Sequence, residues 1–419
     1  MNIIMHLKAM IFFVGAMLFA PIGILWPRSR KKVVFGAWLG EQFSDNPKYF
    51  LRYLLDSTDF DCYWVGGAHL KDDVQAYGAK FVRKGSLLAF WHVLTAKWLV
   101  CNIHWDGDIG RIPTYSRSVC LNLWHGTSLK KIGVEQYDGE GKCPKDSEQI
   151  SRMGILSRIK RLKCRLEDWA VPYESYTTCA NEKMVDILHR SCPPRFSAER
   201  TIVAGQPRND FLIANKDNMT LKAAIKQKYG RLFGVPTDKK WYLYMPTWRH
   251  DSKDTYSFLG CKKLEELQMI LQAKSAIIIE KQHPIVLGMM KIACARKGNI
   301  YVLSSETRKG IDMQELLLVS DFLITDYSSC FFDFEVMRRP TIHFAYDYIN
   351  YATKDSGVEY DLRDIAAGPV VCDEDAMLKA LRKSDEELWA LRGKHANEPI
   401  AGETGHASEQ FAKWVGMLR

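Results

Sequence analysis

Long hydrophobic runs are almost missing from this chain of 419 residues. Only one uncharged stretch, Ala9 to Trp26, approaches the length needed to cross a bilayer, and the mean hydropathy is −0.21, which excludes a polytopic membrane protein. Glycine (28 residues) and proline (15 residues) gather in no tract and no periodic repeat is visible, so collagen-like, low-complexity and solenoid architectures drop out. Wholesale disorder is incompatible with 47% hydrophobic and 12% aromatic residues. The eleven cysteines, an odd number, are scattered without a C-x-x-C pair or a His/Cys cluster. That pattern argues against structural zinc and a disulfide framework, and for thiols kept in a reducing compartment. Also absent are a G-x-x-x-x-G-K-[ST] loop, a well-placed G-x-G-x-x-G and a convincing D-x-D metal pair for a nucleotide sugar. ATP hydrolysis and hydride transfer thus lack their usual signals, and metal-free electrostatics are favoured.

What the chain does carry is a mild excess of positive charge, 58 Lys and Arg against 49 Asp and Glu, or +9. By itself that suits an anionic lipid surface, a phosphorylated substrate or nucleic acid equally. Part of it is clustered. Arg28, Arg30, Lys31 and Lys32 follow the apolar stretch at once, and no small-x-small cleavage site precedes them. Pro21 would kink a helix there, so a short signal-anchor, an interfacial hairpin and a buried N-terminal helix all remain open. For the two membrane readings the positive-inside rule places everything beyond Lys32 on the cytoplasmic face. A second cluster lies in Ser147 to Trp169, where Ile155, Ile159, Leu162, Leu166 and Trp169 form a helical stripe among Arg152, Arg158, Lys160, Arg161, Lys163 and Arg165. Such a helix either lies on anionic lipid or packs its stripe on a core. The basic residues adjoin aliphatic ones rather than stacking aromatics, which disfavours nucleic acid.

Beyond the N-terminus, short β-rich runs alternate with helical patterns. Strands are expected at 33–38, 61–65, 98–102, 119–124, 176–179 and 201–204, then at 241–245, 276–279, 300–303, 322–324 and 341–344. Several are continuous apolar runs, as in parallel sheets covered on both faces. The expected class is α/β, with two facing Rossmann-like doubly wound domains behind an N-terminal apolar membrane segment. In such folds ligands sit beyond the carboxyl ends of the strands. Four post-strand segments carry suitable chemistry. Trp124-His125-Gly126-Thr127-Ser128-Leu129 joins a histidine, a glycine and two hydroxyls, with Lys130 and Lys131 behind. Pro246-Thr247-Trp248-Arg249 offers a hydroxyl, an aromatic face and a guanidinium. Lys281-Gln282-His283-Pro284 is a second strand-to-histidine turn, and Asp326-Tyr327-Ser328-Ser329 with Asp333 is a candidate diphosphate site where a helix starts. Two histidines at strand ends suit acid/base or charge-stabilising work on a phosphoryl centre.

Taken with Asp45-Asn46-Pro47-Lys48 and Gly205-Gln206-Pro207-Arg208-Asn209-Asp210, these segments resemble, in order, the CDP-glycerol glycerophosphotransferase family, whose members build poly(glycerol phosphate) chains. The resemblance implies a fold of the GT-B type and transfer of glycerol phosphate, or a related polyol phosphate, from a CDP-polyol to a hydroxyl of a lipid-linked glycan or polymer, with release of CMP and no cofactor or metal. It also implies teichoic-acid-like or capsule polymer synthesis at the cytoplasmic face of the cell membrane. His125 would be the base and His283 the group steadying the donor phosphates, roles open to exchange. Gly126, Thr127, Ser128, Leu129, Arg208, Asn209, Thr247, Trp248, Lys281, Gln282, Ser328, Ser329 and Asp333 would hold the donor. Two departures stand out: Ser128 replaces the family's proline, and Gln282 replaces a basic residue, with Lys281 one position back. The division this suggests is a membrane-associating segment over 1–32, an acceptor domain over 33–225, a donor-nucleotide domain over 226–395, and a C-terminal helix over 396–419 packing back on the N-terminal domain. Rival readings are a nucleotide-sugar-dependent capsule glycosyltransferase and a non-catalytic membrane-bound module for polyanions.

Overall fold

A computed structural model of the chain describes residues 22–23, 25–110, 118–133, 175–192, 195–247, 256–282, 295–303, 311–348, 351 and 357–418. Most of the apolar segment at 9–26, the basic stretch at 147–169, and Trp248, Arg249 and His283 lie outside the described residues. Among the described residues no helix is long and apolar enough to cross a membrane.

The chain divides into two compact units. In the first, β1 (Ser29–Phe35), β2 (Asp61–Gly66), β3 (Lys80–Arg83), β4 (Ala96–Cys101) and β5 (Val119–Asn122) form a parallel sheet in the order β3-β2-β1-β4-β5. Tyr176 bridges Leu121 in parallel and leads into the pair β6 (Thr177–Cys179) and β7 (Thr201–Val203), with α3 (Glu182–Ser191) between them. The alternation along each strand sorts the core. Val34, Leu99 and Cys120 pack with α2 (Leu87–Thr95) on one face, while Val33, Phe35, Val100 and Leu121 pack with α1 (Asp45–Ser57) on the other. Strand β3 escapes sequence reading because Lys80-Phe81-Val82-Arg83 buries only one side chain. Strand β1 also starts before Val33: Ser29 to Lys32, expected as the basic flank of a membrane segment, form its first half, and Lys32 pairs with Asp61.

In the second unit, β8 (Lys240–Met245), β9 (Ala276–Glu280), β10 (Ala295–Lys297), β11 (Ile300–Val302), β12 (Phe322–Thr325), β13 (Thr341–Phe344) and β14 (Val370–Val371) are ordered β10-β11-β9-β8-β12-β13-β14. All pairings are parallel except β10 with β11, a hairpin turned at Gly298 with φ +61°. Strands β10 and β14 are not among those expected from sequence. Tyr242, Tyr244, Ile278, Phe322 and Ile324 face one core cluster, whereas Trp241, of opposite parity, meets Phe233 at 6.5 Å.

The division differs from that expected at 225/226. The first unit holds residues 1–125, 145–208 and 406–419, and the second holds 126–144 and 209–405. Hydrogen bonds give the reason. Within 207–233 the helices α4 (Pro207–Asn215) and α5 (Met219–Phe233) follow β7, and the Tyr229 hydroxyl of α5 both donates to Glu315 (2.7 Å) and accepts from Asp312 N–H (2.9 Å) at α6 (Met313–Val319). Glu359 N–H donates to the Leu129 carbonyl at 2.8 Å, which draws the segment after His125 into the second unit. The C-terminal helix α7 (Ala407–Trp414) packs on the first unit, Phe411 against Phe50 (5.8 Å) and Trp414 against Tyr176 (5.6 Å).

Backbone approach is tightest before β14, where a Cβ on Gly368 would lie 1.9 Å from the Thr341 carbonyl oxygen. Gly368→Ala must push β13 and β14 apart, and we expect urea denaturation of the purified variant to show a loss of about 1–3 kcal/mol.

Candidate active site

In the first sheet the strand order reverses at β1 and β4, the place where doubly wound folds open a crevice beyond their carboxyl ends. Asp45, Asn46, Asn102 and Asp108, which follow β1 and β4, are buried polar residues that bond to one another and to the backbone after β5. After β1, Trp38, Leu39 and Asp45 take positive φ (+49°, +60° and +66°), as does Trp124 after β5 (+54°). Left-handed backbone at non-glycine residues is strained and persists only where surrounding structure holds it. Asp108 supplies much of that hold. Its Oδ1 accepts from Leu39 N–H (2.7 Å) and its Oδ2 from Asn102 and Ile103 N–H (3.0 and 2.8 Å). Burial pushes the Asp108 carboxyl up from its ordinary range, against the pull of these backbone donors.

Asp45 and Arg208 form an ion pair at 2.8 Å whose side chains are 5% and 9% exposed. The same guanidinium nitrogen, Nη1, donates to the His125 carbonyl at 3.0 Å. Asp45 Oδ2 accepts from Asn102 Nδ2 (3.0 Å), and Asn102 Oδ1 accepts from Trp38 N–H (3.0 Å). Asn46 completes the lattice: its Nδ2 donates to the Leu123 and Trp124 carbonyls (3.0 and 3.2 Å) and its Oδ1 accepts from Arg208 N–H (3.1 Å). His125 itself is half-buried, with its ring 4.3 Å from that of Trp124 and 5.5 Å from that of Trp38. Its Nδ1 lies 3.2 Å from the Asn102 carbonyl. A carbonyl only accepts, so Nδ1 carries the hydrogen and, in the neutral ring, Nε2 keeps a lone pair. Burial lowers the imidazole from its ordinary range, opposed by the Asp45 and Asp108 carboxylates and the bond to Asn102, and reinforced by Arg208. A neutral histidine with a fixed tautomer is equipped to accept a proton.

The second sheet reverses at β8 and β12, and again a carboxylate ties the two strand ends. Asp326 Oδ1 accepts from Thr247 N–H (2.8 Å) and Tyr327 N–H (2.5 Å). His343 donates from Nδ1 to the Asp326 carbonyl (3.3 Å) and accepts at Nε2 from Ala367 N–H (3.1 Å); burial pushes it down to about 4. This histidine, unlike His125, has both nitrogens spent on backbone and holds the loop. Ser328 and Ser329 are half-buried just before the short helix Cys330–Glu335, and Ser329 makes no side-chain cap bond. Asp333 is buried, with Gln314 Nε2 at 3.5 Å.

A family model described as CDP-glycerol:poly(glycerophosphate) glycerophosphotransferase matches residues 18–415. The chain is 30% identical over 394 residues to a teichoic acid poly(glycerol phosphate) polymerase of Bacillus spizizenii, with 91% of each chain covered. The chain belongs to the CDP-glycerol glycerophosphotransferase family. It is 28% identical over 393 residues to a teichoic acid glycerol-phosphate transferase of Staphylococcus aureus, covering 92% of this chain and 93% of the relative. The structure of the wall teichoic acid polymerase TagF shares its fold, with a TM-score of 0.70 over 98% of this chain and 95% of that one, at 21% identity.

Within this glycerophosphotransferase, the residues singled out from sequence fall in different settings. His125 and Arg208 meet in the first unit's network. Gly126, Thr127, Ser128 and Leu129 belong to the second unit, where Ser128 Oγ donates to the Lys130 carbonyl at 2.6 Å and Leu129 is buried. Asn209 is buried, and among the described residues its Oδ1 has no hydrogen-bond partner. Gln282 spends its Nε2 on Glu280 Oε1 (2.6 Å) and the Tyr256 carbonyl (3.0 Å), while Lys281 N–H donates to the Tyr244 carbonyl (2.9 Å). Sequence reading missed Asn102 and Asp108. Asn102 stood at the end of an expected strand, the position where function was sought; its side chain bonds Asp45 and Trp38 N–H, and its backbone carbonyl, which any residue type supplies, meets His125. We expect Asp108→Ala, which strips three backbone N–H groups of their acceptor, to lower urea stability by roughly 3 kcal/mol or more.

Proposed function

We propose that this enzyme transfers glycerol phosphate from CDP-glycerol to a hydroxyl of a lipid-linked or polymeric acceptor, extending a teichoic-acid-like or capsule polymer and releasing CMP. The observation that carries the reading is His125, whose Nδ1–H is engaged by the Asn102 carbonyl, in a chain whose family transfers glycerol phosphate. His125 Nε2 takes the proton of the acceptor hydroxyl as its oxygen attacks the β-phosphorus. The bond from that phosphorus to the bridging oxygen breaks, its electron pair stays with that oxygen, and CMP departs. His283 steadies the developing charge on the leaving phosphate. Thr127, Ser128, Thr247, Trp248, Lys281, Ser328 and Ser329 supply hydroxyl, aromatic and cationic contacts for a diphosphate and its polyol, with Gly126, Leu129, Asn209, Gln282 and Asp333 shaping their surroundings. No metal is required in this scheme, because cations and N–H groups carry the charge stabilisation.

The enzyme works at the cytoplasmic face of the cell membrane, held there by the segment at 9–26 and the basic stretch at 152–165. Exposed apolar side chains in the first unit support this. Leu25 is 79% and Leu87 89% exposed, and Trp26 stacks edge-on against the half-exposed Trp91 at 5.7 Å. Paired tryptophans with exposed leucines suit the interfacial layer of a bilayer.

His125→Ala and His283→Ala, each checked for folding by circular dichroism, should lose at least about 100-fold in CMP release from CDP-glycerol, the usual share of a proton-transfer group. Near wild-type release from both would overturn the site assignment. Because burial lowers the His125 imidazole, its neutral form persists below the ordinary histidine range. The acid limb of the kcat profile should accordingly lie below pH ~6.5, with activity lost only as the pH falls through that lowered value.

A further inference from the structure

One carboxylate reaches His125 by two routes. Asp45 Oδ1 accepts from Arg208 Nη1 (2.8 Å) and from Asn46 N–H (2.8 Å), while Oδ2 accepts from Asn102 Nδ2 (3.0 Å). Each of the two outer partners then continues to the histidine. Arg208 Nη1 donates to the His125 carbonyl at 3.0 Å, and the Asn102 carbonyl accepts from the ring Nδ1 at 3.2 Å. The histidine backbone and the histidine ring are therefore held by separate arms that meet at one side chain.

We propose that Asp45 is a positioning residue of the phosphotransfer reaction, fixing the ring orientation and tautomer of His125 through Asn102 and its backbone through Arg208. The proposal rests on His125 being the base.

Three observations favour this over a structural ion pair alone. A buried pair is weak grounds for stability, since desolvation of both ions offsets their attraction, so its retention calls for another reason. Asp45 holds a left-handed backbone, φ +66°, at the start of α1, and Asp tolerates that conformation while offering two acceptor oxygens. The groups acting on the imidazole are few: the Asp45 and Asp108 carboxylates favour its protonated form, Arg208 opposes it, and the Asn102 carbonyl fixes which nitrogen carries the hydrogen. Asp45 alone among them both bonds the arms and supplies charge. As His125 accepts the acceptor proton, the Asp45 carboxylate stabilises the imidazolium without itself moving.

The test uses the full-length enzyme with CDP-glycerol and a lipid-linked acceptor. Asp45→Asn keeps the side-chain shape but places an N–H₂ against one of two donors. We expect kcat to fall by about 10–100-fold, within the span of a general base, with KM for CDP-glycerol changed less than about twofold, as for an interaction felt in the transition state. The acid limb should move to lower pH, because a charge that favours the imidazolium is gone. Nitrogen-15 spectra of labelled His125 should show the Nδ1–H tautomer in the wild type and a mixture in the variant. The double variant Asp45→Asn/Arg208→Gln leaves no uncompensated buried charge; its melting temperature should recover while kcat stays low. If Asp45→Asn does not fold, the double variant carries the same readouts. Recovery of kcat together with melting temperature, or an unshifted pH profile with a single tautomer, would overturn the proposal. Should His125→Ala abolish turnover while Asp45→Asn is normal, only the role of Asp45 falls; an active His125→Ala removes the base itself.

Discussion

The buried pair of Asp45 and Arg208 is the constraint around which the first unit's strand-end loops are arranged. Two charges shielded from water are tolerable only when their remaining hydrogen-bonding capacity is filled. Here Asn46, Asn102 and the His125 carbonyl fill it. That demand ties together the start of α1, the end of β4, the turn after β5 and the first turn of α4, which are remote in sequence. The strained backbone at Trp38, Leu39, Asp45 and Trp124 persists because the lattice around it leaves no cheaper arrangement.

Both sheets use the same device at their switch points. In the first, Asp108 accepts backbone N–H groups from the ends of β1 and β4; in the second, Asp326 does so between the ends of β8 and β12. A carboxylate facing several N–H groups stiffens the loops that follow these strand ends. The contrast between His343 and His125 follows from the same accounting of donors and acceptors. His343 bonds backbone through both ring nitrogens and is fully buried, so it is structural. His125 bonds backbone through Nδ1, and its ring is only half-buried between tryptophans.

Much of the architecture was legible in the sequence. Continuous apolar runs marked the central strands of both sheets, since burial on two faces demands hydrophobic residues at every position. The edge strands β3, β10 and β14 were not legible, because a short edge strand needs few buried side chains and its pairing is set by a neighbour. The units divide at 208/209 rather than at 225/226 for a related reason: Tyr229 is buried and bonded at α6, so α5 packs within the second unit.

For the site, the motif residues His125, Arg208, Thr247, Ser328 and Ser329 could be read directly, because histidine, arginine and hydroxyls after strands announce their chemistry. The sequence alone determined an α/β transferase family, whose phosphoryl chemistry is carried by residue type and order. Only the tertiary structure decided how those residues divide their labour. Arg208, expected from sequence as a donor contact, is paired with Asp45; Asn102 links Asp45 through its side chain and His125 through its carbonyl; Gln282 turns its amide toward Glu280 and Tyr256. Hydrogen-bond partners are set by which strand ends the sheet order brings together, and that order lies in long-range packing rather than in any local run of residues.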